Sequence, residues 1–404
     1  MKSGFSAQQR RVLILCVTMY TAAYVCRLNL SAALSSMMQD LQLTMAQGGM
    51  LQTLFAAIYA TGQFVNGSIV DRVNPAKHML LGLAGSAACN YAMGFCPAYP
   101  ALLAVWSLNA AFQSMLWTPV MRLVALYFCE GKLRERANEI IALMLIVGHF
   151  LAWAIAGFVS AAGSWRLSFI MPAAIALCVV ALMMKTCLTL NVYGTRTNAA
   201  AASRDPILHI LASTGFFLVM ITCVLYGFIR DSVITWTPTI LARIGGGHAV
   251  SSAALTLILP VINMAGVMLG FRLRRCGAWP HGVVTLMMLG SILCSAALLG
   301  SGGKLKTAVM LGLICAAMYG ANTMLTGLIP LEYDRVGRTS LTAGIVDSLI
   351  YAGSALSGTL AGGVYETLGP DKLFLSWILA GGTSAMLMLL SSRMSSAYWA
   401  KHHS

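Results

Sequence analysis

An all-α membrane protein of twelve transmembrane helices, arranged as two six-helix halves with both termini cytoplasmic, is the fold class this sequence predicts. Three observations carry the expectation. Of 404 residues, 58% are hydrophobic and only 9% are charged, where a soluble domain has a charged fraction near a quarter. Apolar segments of spanning length recur twelve times, each able to cross a hydrocarbon core of about 30 Å with about 20 residues. Lysine and arginine are dense in alternate loops and sparse in the others, as the positive-inside rule requires of a multi-pass protein.

The segments run over 12–37, 48–70, 78–98, 100–128, 138–162, 167–188, 208–241, 250–271, 281–300, 306–329, 340–363 and 371–392. The first is too long for a cleavable signal peptide and lacks a small-residue cleavage site. One set of alternate loops, from the N-terminus (Lys2, Arg10, Arg11) to the C-terminus (Arg393, Lys401), holds 18 of the 26 Lys and Arg. It includes Arg72 and Lys77, Lys132, Arg134 and Arg136, Lys185, Arg196 and Arg204, Arg272, Arg274 and Arg275, and Arg335 and Arg338. The opposite face has five, Arg166, Arg243, Lys304, Lys306 and Lys372, while Arg27, Arg122 and Arg230 lie inside segments. This asymmetry puts both termini in the cytoplasm and a multi-pass protein in the inner (plasma) membrane. The net charge of +14 is thereby absorbed by topology, so no nucleic-acid partner is expected; the surrounding partner is the lipid bilayer.

The 11 Cys are scattered, with no CxxC pair, and read as small apolar packing residues rather than a disulfide framework or a metal site. There is no Walker A, GxSxG or HExxH motif, and the seven His assemble no nucleophile, base and ligand set. The sequence therefore predicts no enzyme, no catalytic residue, no cofactor and no metal.

Within the first segment, YTAAYVCRLN (Tyr20 to Asn29) carries Arg27 well in from either end. A charge near the bilayer centre costs about 2.5–3.5 kcal/mol even on the lenient insertion scale. Tyr20, Tyr24, Arg27 and Ser31 recur at helical spacing and share one face. Arg27 either serves a ligand there, or snorkels to the interface or pairs with an acid. An arginine recurs 203 positions later at Arg230, and the segment ends GSIVDR (Gly67 to Arg72) and GFRLRR (Gly270 to Arg275) repeat at the same offset. The chain thus divides into an N-terminal six-helix half (1–188), a polar, Ala/Ser-rich central cytoplasmic loop (189–207) and a C-terminal six-helix half (208–404). Such a parallel repeat belongs to transporters whose halves are related by an axis along the membrane normal, with substrate near the midplane. Arg27 and Arg230 are then expected to face each other across that cavity.

At GSIVDRVNPAK the chain resembles the signature loop of the major facilitator superfamily, with Gly67, Asp71, Arg72 and Lys77 in matching places; Asn74 replaces the second glycine. The motif is degraded after the eighth segment, where Arg274 takes the acid's place. YVCRLN is similar to the YxxRxN of the organophosphate:phosphate antiporter family, the glycerol-3-phosphate and hexose-phosphate transporters. Arg230-DSVI-TWTP, with Trp236 and Pro238, resembles that family's second arginine motif. WTPVMR (Trp117 to Arg122), GLIPLE (Gly327 to Glu332) and TAGIVDSLIYAGS are similar too. The resemblance implies that Arg27 and Arg230 bind a substrate phosphate, and that Tyr20, Tyr24, Tyr351, Tyr226 and Tyr319 line the cavity. Where the family's sugar-phosphate carriers have a lysine and a histidine, this chain has Gln63 and Leu145, with His149 one turn further on as a substitute or a packing residue. The physics is independent of the resemblance. A phosphate monoester carries about −1.5 to −2 charges with three acceptor oxygens, and two guanidiniums meet it with planar forks that lysine lacks. Two repelling cations in an empty cavity also make the loaded carrier easier to reorient than the empty one.

Further candidates are weighed by face. Gln52, Tyr59 and Gln63 share one side of the second segment, and Tyr319, Asn322 and Thr326 one side of the tenth, as cavity lining or interhelical contacts. Asp231 follows Arg230 but points about 100° away, and is either a packing partner for another helix or a counter-ion or proton-coupling group. Asp347 shares a face with Gly344, Tyr351 and Ser354, where the family motif has no acid, and is either a counter-ion for an arginine or a proton carrier. Asp71, Arg72 and Lys77 form a gating loop. Glu332, Asp334, Arg335 and Arg338 are expected to make one salt-bridge cluster, Trp165 and Arg166 to close the opposite face, and Glu130 to Glu139 to form a short solvated helix. The function expected is secondary active transport of a small organic anion by a monomer, a phosphorylated metabolite exchanged for inorganic phosphate. The alternatives are a proton-coupled carrier of a sulfonate or carboxylate, and a transporter-like membrane sensor of sugar phosphates. On this topology a cysteine placed at Lys304 should be labelled by an impermeant reagent from outside intact cells, and one at Arg274 should not.

Overall fold

A computed structural model describes residues 5–43, 45–128, 131–161, 164–190, 207–244, 259–300 and 303–401. Helix dominates throughout, and the described helices fall into twelve consecutive helical segments. They group into two compact units, Met1–Ala202 with Tyr333–Ser348, and Ser203–Glu332 with Leu349–Ser404. Among the described residues, six stretches are long and apolar enough by themselves to cross a membrane: Ala7–Leu30, Leu167–Thr189, Phe216–Thr237, Pro280–Ala297, Lys304–Val336 and Pro370–Lys401.

The first unit opens with α1 (Ala7–Asp40), whose N-terminus is closed by a capping box between Ser6 and Gln9, satisfying two of the helix's orphan donors. After α2 (Met45–Ile69), Asn74 caps α3 (Pro75–Met93) by accepting from the Ala76 and Lys77 backbone N–H groups. Pro75 sits where a helix loses nothing by lacking a donor. The fourth apolar segment is broken into α4 (Tyr99–Gln113) and α5 (Trp117–Tyr127), because Pro119 has no N–H for the carbonyl four residues back. Then come α6 (Gly131–Ala161) and α7 (Leu167–Thr189). α1 packs on α6 and α7, α3 on α4 and α7, and α2 on α4, around a core in which Trp106 meets both Phe55 and Phe169.

The second unit begins with α8 (Ile207–Ser213), separated from α9 (Phe216–Ile244) by Gly215 at φ +70°. α10 (Leu259–Arg275) ends in Arg272, Arg274 and Arg275, which complement the negative end of its dipole. α11 (Pro280–Ala297) follows, then α12 (Lys304–Thr323), which runs through a π turn (Met324–Leu328) into the short α13 (Ile329–Glu332). The π turn has a local cause: Pro330 cannot bond the carbonyl of Thr326, and the Ile329 N–H reaches the carbonyl of Met324 instead. α14 (Thr339–Leu356) passes through a second π turn (Ser357–Ala361) into α15 (Gly362–Leu368), and α16 (Pro370–Lys401) closes the chain. The boundary between the units falls inside α14, after Ser348. α10 and α12 pack on each other, α11 on α12 and α16, and α9 on α12 and α16.

Two sequence expectations change. Glu130 to Glu139 is not a separate loop helix: from Gly131 onward it is the first turns of α6, since good helix formers run on without a glycine or proline to stop them. The last helix continues past 392 to Lys401. Of the loop placed at 189–207, residues 191–206 lie outside the described ones, as do the first turns expected of the eighth segment up to 258.

Small residues let helices touch backbone to backbone, as they do where van der Waals packing rather than water drives association. A Cβ on Gly266 of α10 would run into the Ala316 carbonyl of α12, whereas one on Gly290 of α11 would meet nothing within 4 Å. Gly266→Ala should therefore lower the melting point of the purified protein, by an overpacking cost of about 1–3 kcal/mol, and Gly290→Ala should leave it unchanged.

Candidate functional site

In the first unit, α1 holds Arg27 at 9% exposure, deep enough that its donors must be met by protein. Its Nε and Nη2 both donate to Gln113 Oε1 of α4, at 3.3 and 3.1 Å. Gln113 is fixed in turn, donating from Nε2 to the Ala23 carbonyl at 3.0 Å and to Ser86 Oγ of α3 at 2.7 Å. Ser86 donates to Asn109 Oδ1 at 2.7 Å. Asn90 donates to the carbonyls of Cys26 and Ser86, and Asn29 donates to Asn90 Oδ1 and to the Ser168 carbonyl. A chain of amides across α1, α3, α4 and α7 thus sets the orientation of one guanidinium.

Aromatic rings complete its surroundings. The Arg27 Cζ lies 4.3 Å from the Tyr59 ring centroid and 5.2 Å from that of Tyr24, within cation–π range. Tyr20, buried, packs edge-on against Tyr24 and beside Trp117. Tyr59 of α2 donates its hydroxyl to Asp347 Oδ2 at 3.3 Å, and Gln63 Nε2 donates to the Tyr59 hydroxyl at 2.6 Å. Asp347 of α14 groups with this unit. Gln52, expected on the same face as Tyr59 and Gln63, is exposed.

In the second unit Arg230 of α9 is treated differently. Its Nε and Nη2 fork onto Asp231 Oδ1 and Oδ2 at 2.6 and 3.1 Å, and Nη2 also reaches Ser354 Oγ at 3.2 Å. Of the roles expected of Asp231, it takes that of a partner to Arg230 and not that of a contact for another helix: the backbone vectors diverge by about 100°, but the long arginine side chain bends across the gap. Tyr226 and Tyr351 rings lie 5.5 and 6.0 Å from the Arg230 Cζ. The buried Tyr226 donates to Asn322 Oδ1 of α12 at 3.1 Å, two residues before the π turn, whose Thr326 donates back to the Asn322 carbonyl. Tyr319 is half-buried on the same helix, and Trp236 stacks near Tyr365. The side chains of His149, Ser31, Leu145 and Pro238 lie outside the described residues.

At the helix ends, Asp71 sits 3.5 Å from Arg122 Nε. Burial pushes the Asp71 carboxyl above the usual carboxylate range, and Arg122 offsets that only in part. Arg72 and Lys77 are exposed. The single salt-bridge cluster expected of Glu332, Asp334, Arg335 and Arg338 is also corrected. Asp334 pairs with Arg134 at 2.7 Å, in the first unit, while Glu332 accepts from Ser395 and lies 3.9 Å from His281 Nδ1, in the second. The 3₁₀ turn at Tyr333–Val336 turns successive acids to different sides. On the other loops, the Trp165 indole and Arg166 both donate to Asp40 Oδ2 at 2.8 Å and hold that carboxyl below its usual range.

Sequence reasoning missed Gln113, Ser86, Asn109 and Asn90. Their signal was present as amides and a hydroxyl four residues apart inside apolar runs, but nothing in one dimension joins α3 to α4. Gln113→Ala should lower the melting point through a stability loss of about 1–3 kcal/mol, the cost of stranding a buried donor set, and Gln113→Glu, which keeps the acceptor, should lose less.

Comparison with known proteins agrees with this architecture. Over 94% of its length the chain is 24% identical to the membrane sensor protein UhpC of Salmonella typhimurium, covering 91% of that protein. It is 26% identical to a probable hexose phosphate transport protein of Chlamydia trachomatis over 28% of this chain and 25% of the relative. The E. coli fucose:proton symporter FucP superposes with a TM-score of 0.75 at 16% identity, over 96% of this chain and 99% of that one. The family model described as Major Facilitator Superfamily matches residues 13–338. With helical segments in the number and order of that fold and no enzyme among these relatives, the chain belongs to the Major Facilitator Superfamily.

Proposed function

We propose that this protein is a secondary active transporter of the inner (plasma) membrane that moves a small phosphorylated metabolite by alternating access, in exchange for inorganic phosphate. The observation that carries the reading is the pair Arg27 and Arg230, each inside an apolar helix and each with tyrosine rings within 6.0 Å of its Cζ. Each guanidinium is a planar fork suited to a phosphate oxygen pair. Support comes from relatives named for hexose phosphate and phosphoglycerate transport. Tyr20, Tyr24, Tyr351, Tyr226, Tyr319, Gln63, His149 and Asn322 are assigned to the lining, and Asp71, Arg72 and Lys77 to the gating loop. Both termini are assigned to the cytoplasm on the lysine and arginine asymmetry.

A second reading is favoured by the match to a membrane sensor over 94% of the chain: the same fold and arginines would bind a sugar phosphate and signal without transport. Counterflow of radiolabelled phosphate in proteoliposomes separates the two. Exchange is expected, and phosphate binding without flux would support the sensor. Arg27→Lys and Arg230→Lys should each lower the exchange rate by roughly tenfold or more, nearly as far as Ala, because an ammonium keeps the charge and loses the fork. Wild-type exchange by either Lys variant would remove phosphate binding from that residue.

A further inference from the structure

Each arginine of the proposed site comes with a carboxylate. In the first unit Tyr59 links the two: its ring lies 4.3 Å from the Arg27 Cζ, and its hydroxyl donates to Asp347 Oδ2 at 3.3 Å. In the second unit Asp231 occupies the Nε and Nη2 donors of Arg230 at 2.6 and 3.1 Å. Within each unit one guanidinium and one carboxylate leave no net charge. A phosphate monoester, at about −1.5 to −2, meets attraction and repulsion together in such surroundings. A substrate with a positive group beside its anionic head would match both.

An independent observation places the positive group. Gln63 Nε2 donates to the Tyr59 hydroxyl at 2.6 Å, and Tyr59 commits its own proton to Asp347, so that hydroxyl is an acceptor from Gln63. This orders the Gln63 amide. Among the described residues its Oε1 is a fully buried acceptor with no hydrogen-bond donor, a group costly to leave unmet. A primary ammonium has one positive charge and three donors. It complements a carboxylate, an amide oxygen and the face of a tyrosine ring.

We infer that Asp347, Gln63 and Tyr59 form a subsite for a cationic group, and that the substrate is a zwitterion, a small phosphate ester bearing a primary amine. The inference rests on the phosphate-binding role proposed above for Arg27 and Arg230. It assigns Asp347 neither to proton transfer nor to a purely structural ion pair: the carboxylate reads the substrate.

Two esters of nearly the same shape test it, 2-aminoethyl phosphate and 2-hydroxyethyl phosphate, which differ by an ammonium against a hydroxyl. Their affinities are measured on the purified full-length protein at neutral pH by thermal-shift titration, and their transport by uptake into proteoliposomes. The amino ester is expected to bind about tenfold more tightly, the ratio equivalent to one partly screened ion pair of about 1.4 kcal/mol. In Asp347→Asn that preference should fall to within about twofold, and in Gln63→Met the amino ester alone should lose affinity. The wild-type ratio and the Gln63→Met result decide the matter if Asp347→Asn does not fold. Equal affinity of the two esters in the wild type, or a preference that survives Asp347→Asn, overturns the subsite while leaving phosphate binding intact. Uptake of the hydroxy ester that rises as pH falls and is lost in Asp347→Asn also overturns it, making a proton the partner of Asp347. Binding of neither ester overturns the phosphate reading itself, and the subsite with it.

Discussion

A guanidinium inside an apolar helix must have its donors met by protein, because hydrocarbon offers nothing in exchange for water. Much of the polar chemistry inside each unit answers that demand. Around Arg27 the answer is a relay of neutral groups, Gln113, Ser86, Asn109, Asn90 and Asn29, each donating to the next acceptor or to a helix carbonyl. Neutral amides fix the orientation of the guanidinium without bringing a charge of their own. A polar network of this kind is favourable only when its members satisfy one another, since a half-met buried network is worse than an apolar core. That condition ties α1, α3, α4 and α7 together as firmly as their apolar faces do.

Arg230, at the equivalent repeat position, is held by a carboxylate next to it in sequence and by a serine from α14. The bidentate pair fixes the guanidinium plane and also cancels its charge locally. A buried pair of this type is weak evidence for stability, because desolvation takes back much of the Coulomb gain. The two halves of the sequence thus carry an arginine at the same offset with different support.

Backbone irregularity falls close to these residues and has identifiable causes. Pro119 divides the helix that carries Gln113, and Pro330 opens the π turn that follows Asn322. Freed carbonyls within a membrane segment are tolerated where neighbouring side chains or shifted bonds take them up. Thr326 takes up the Asn322 carbonyl and the Ile329 N–H the Met324 carbonyl. Gly266 and Gly67 act differently, bringing helix backbones into contact where a side chain would hold them apart.

The sequence by itself determined the class, the succession of helical segments and both arginines. Those follow from signals confined to a helix: apolar length and the cost of a charge in hydrocarbon. Helical periodicity also put Tyr24 on the face of Arg27, Tyr59 on that of Gln63 and Asp347 on that of Tyr351, while Tyr226 and Tyr351 were named by the family resemblance. Tertiary structure decided the partners. That Gln113 meets Arg27, that Asp334 meets Arg134 rather than its neighbours, and that Asp231 folds back on Arg230 depend on side-chain reach and on which helices lie side by side. A helix face says only which way a group points; whether it finds an amide, a carboxylate or a ring there is settled by residues far away in the chain.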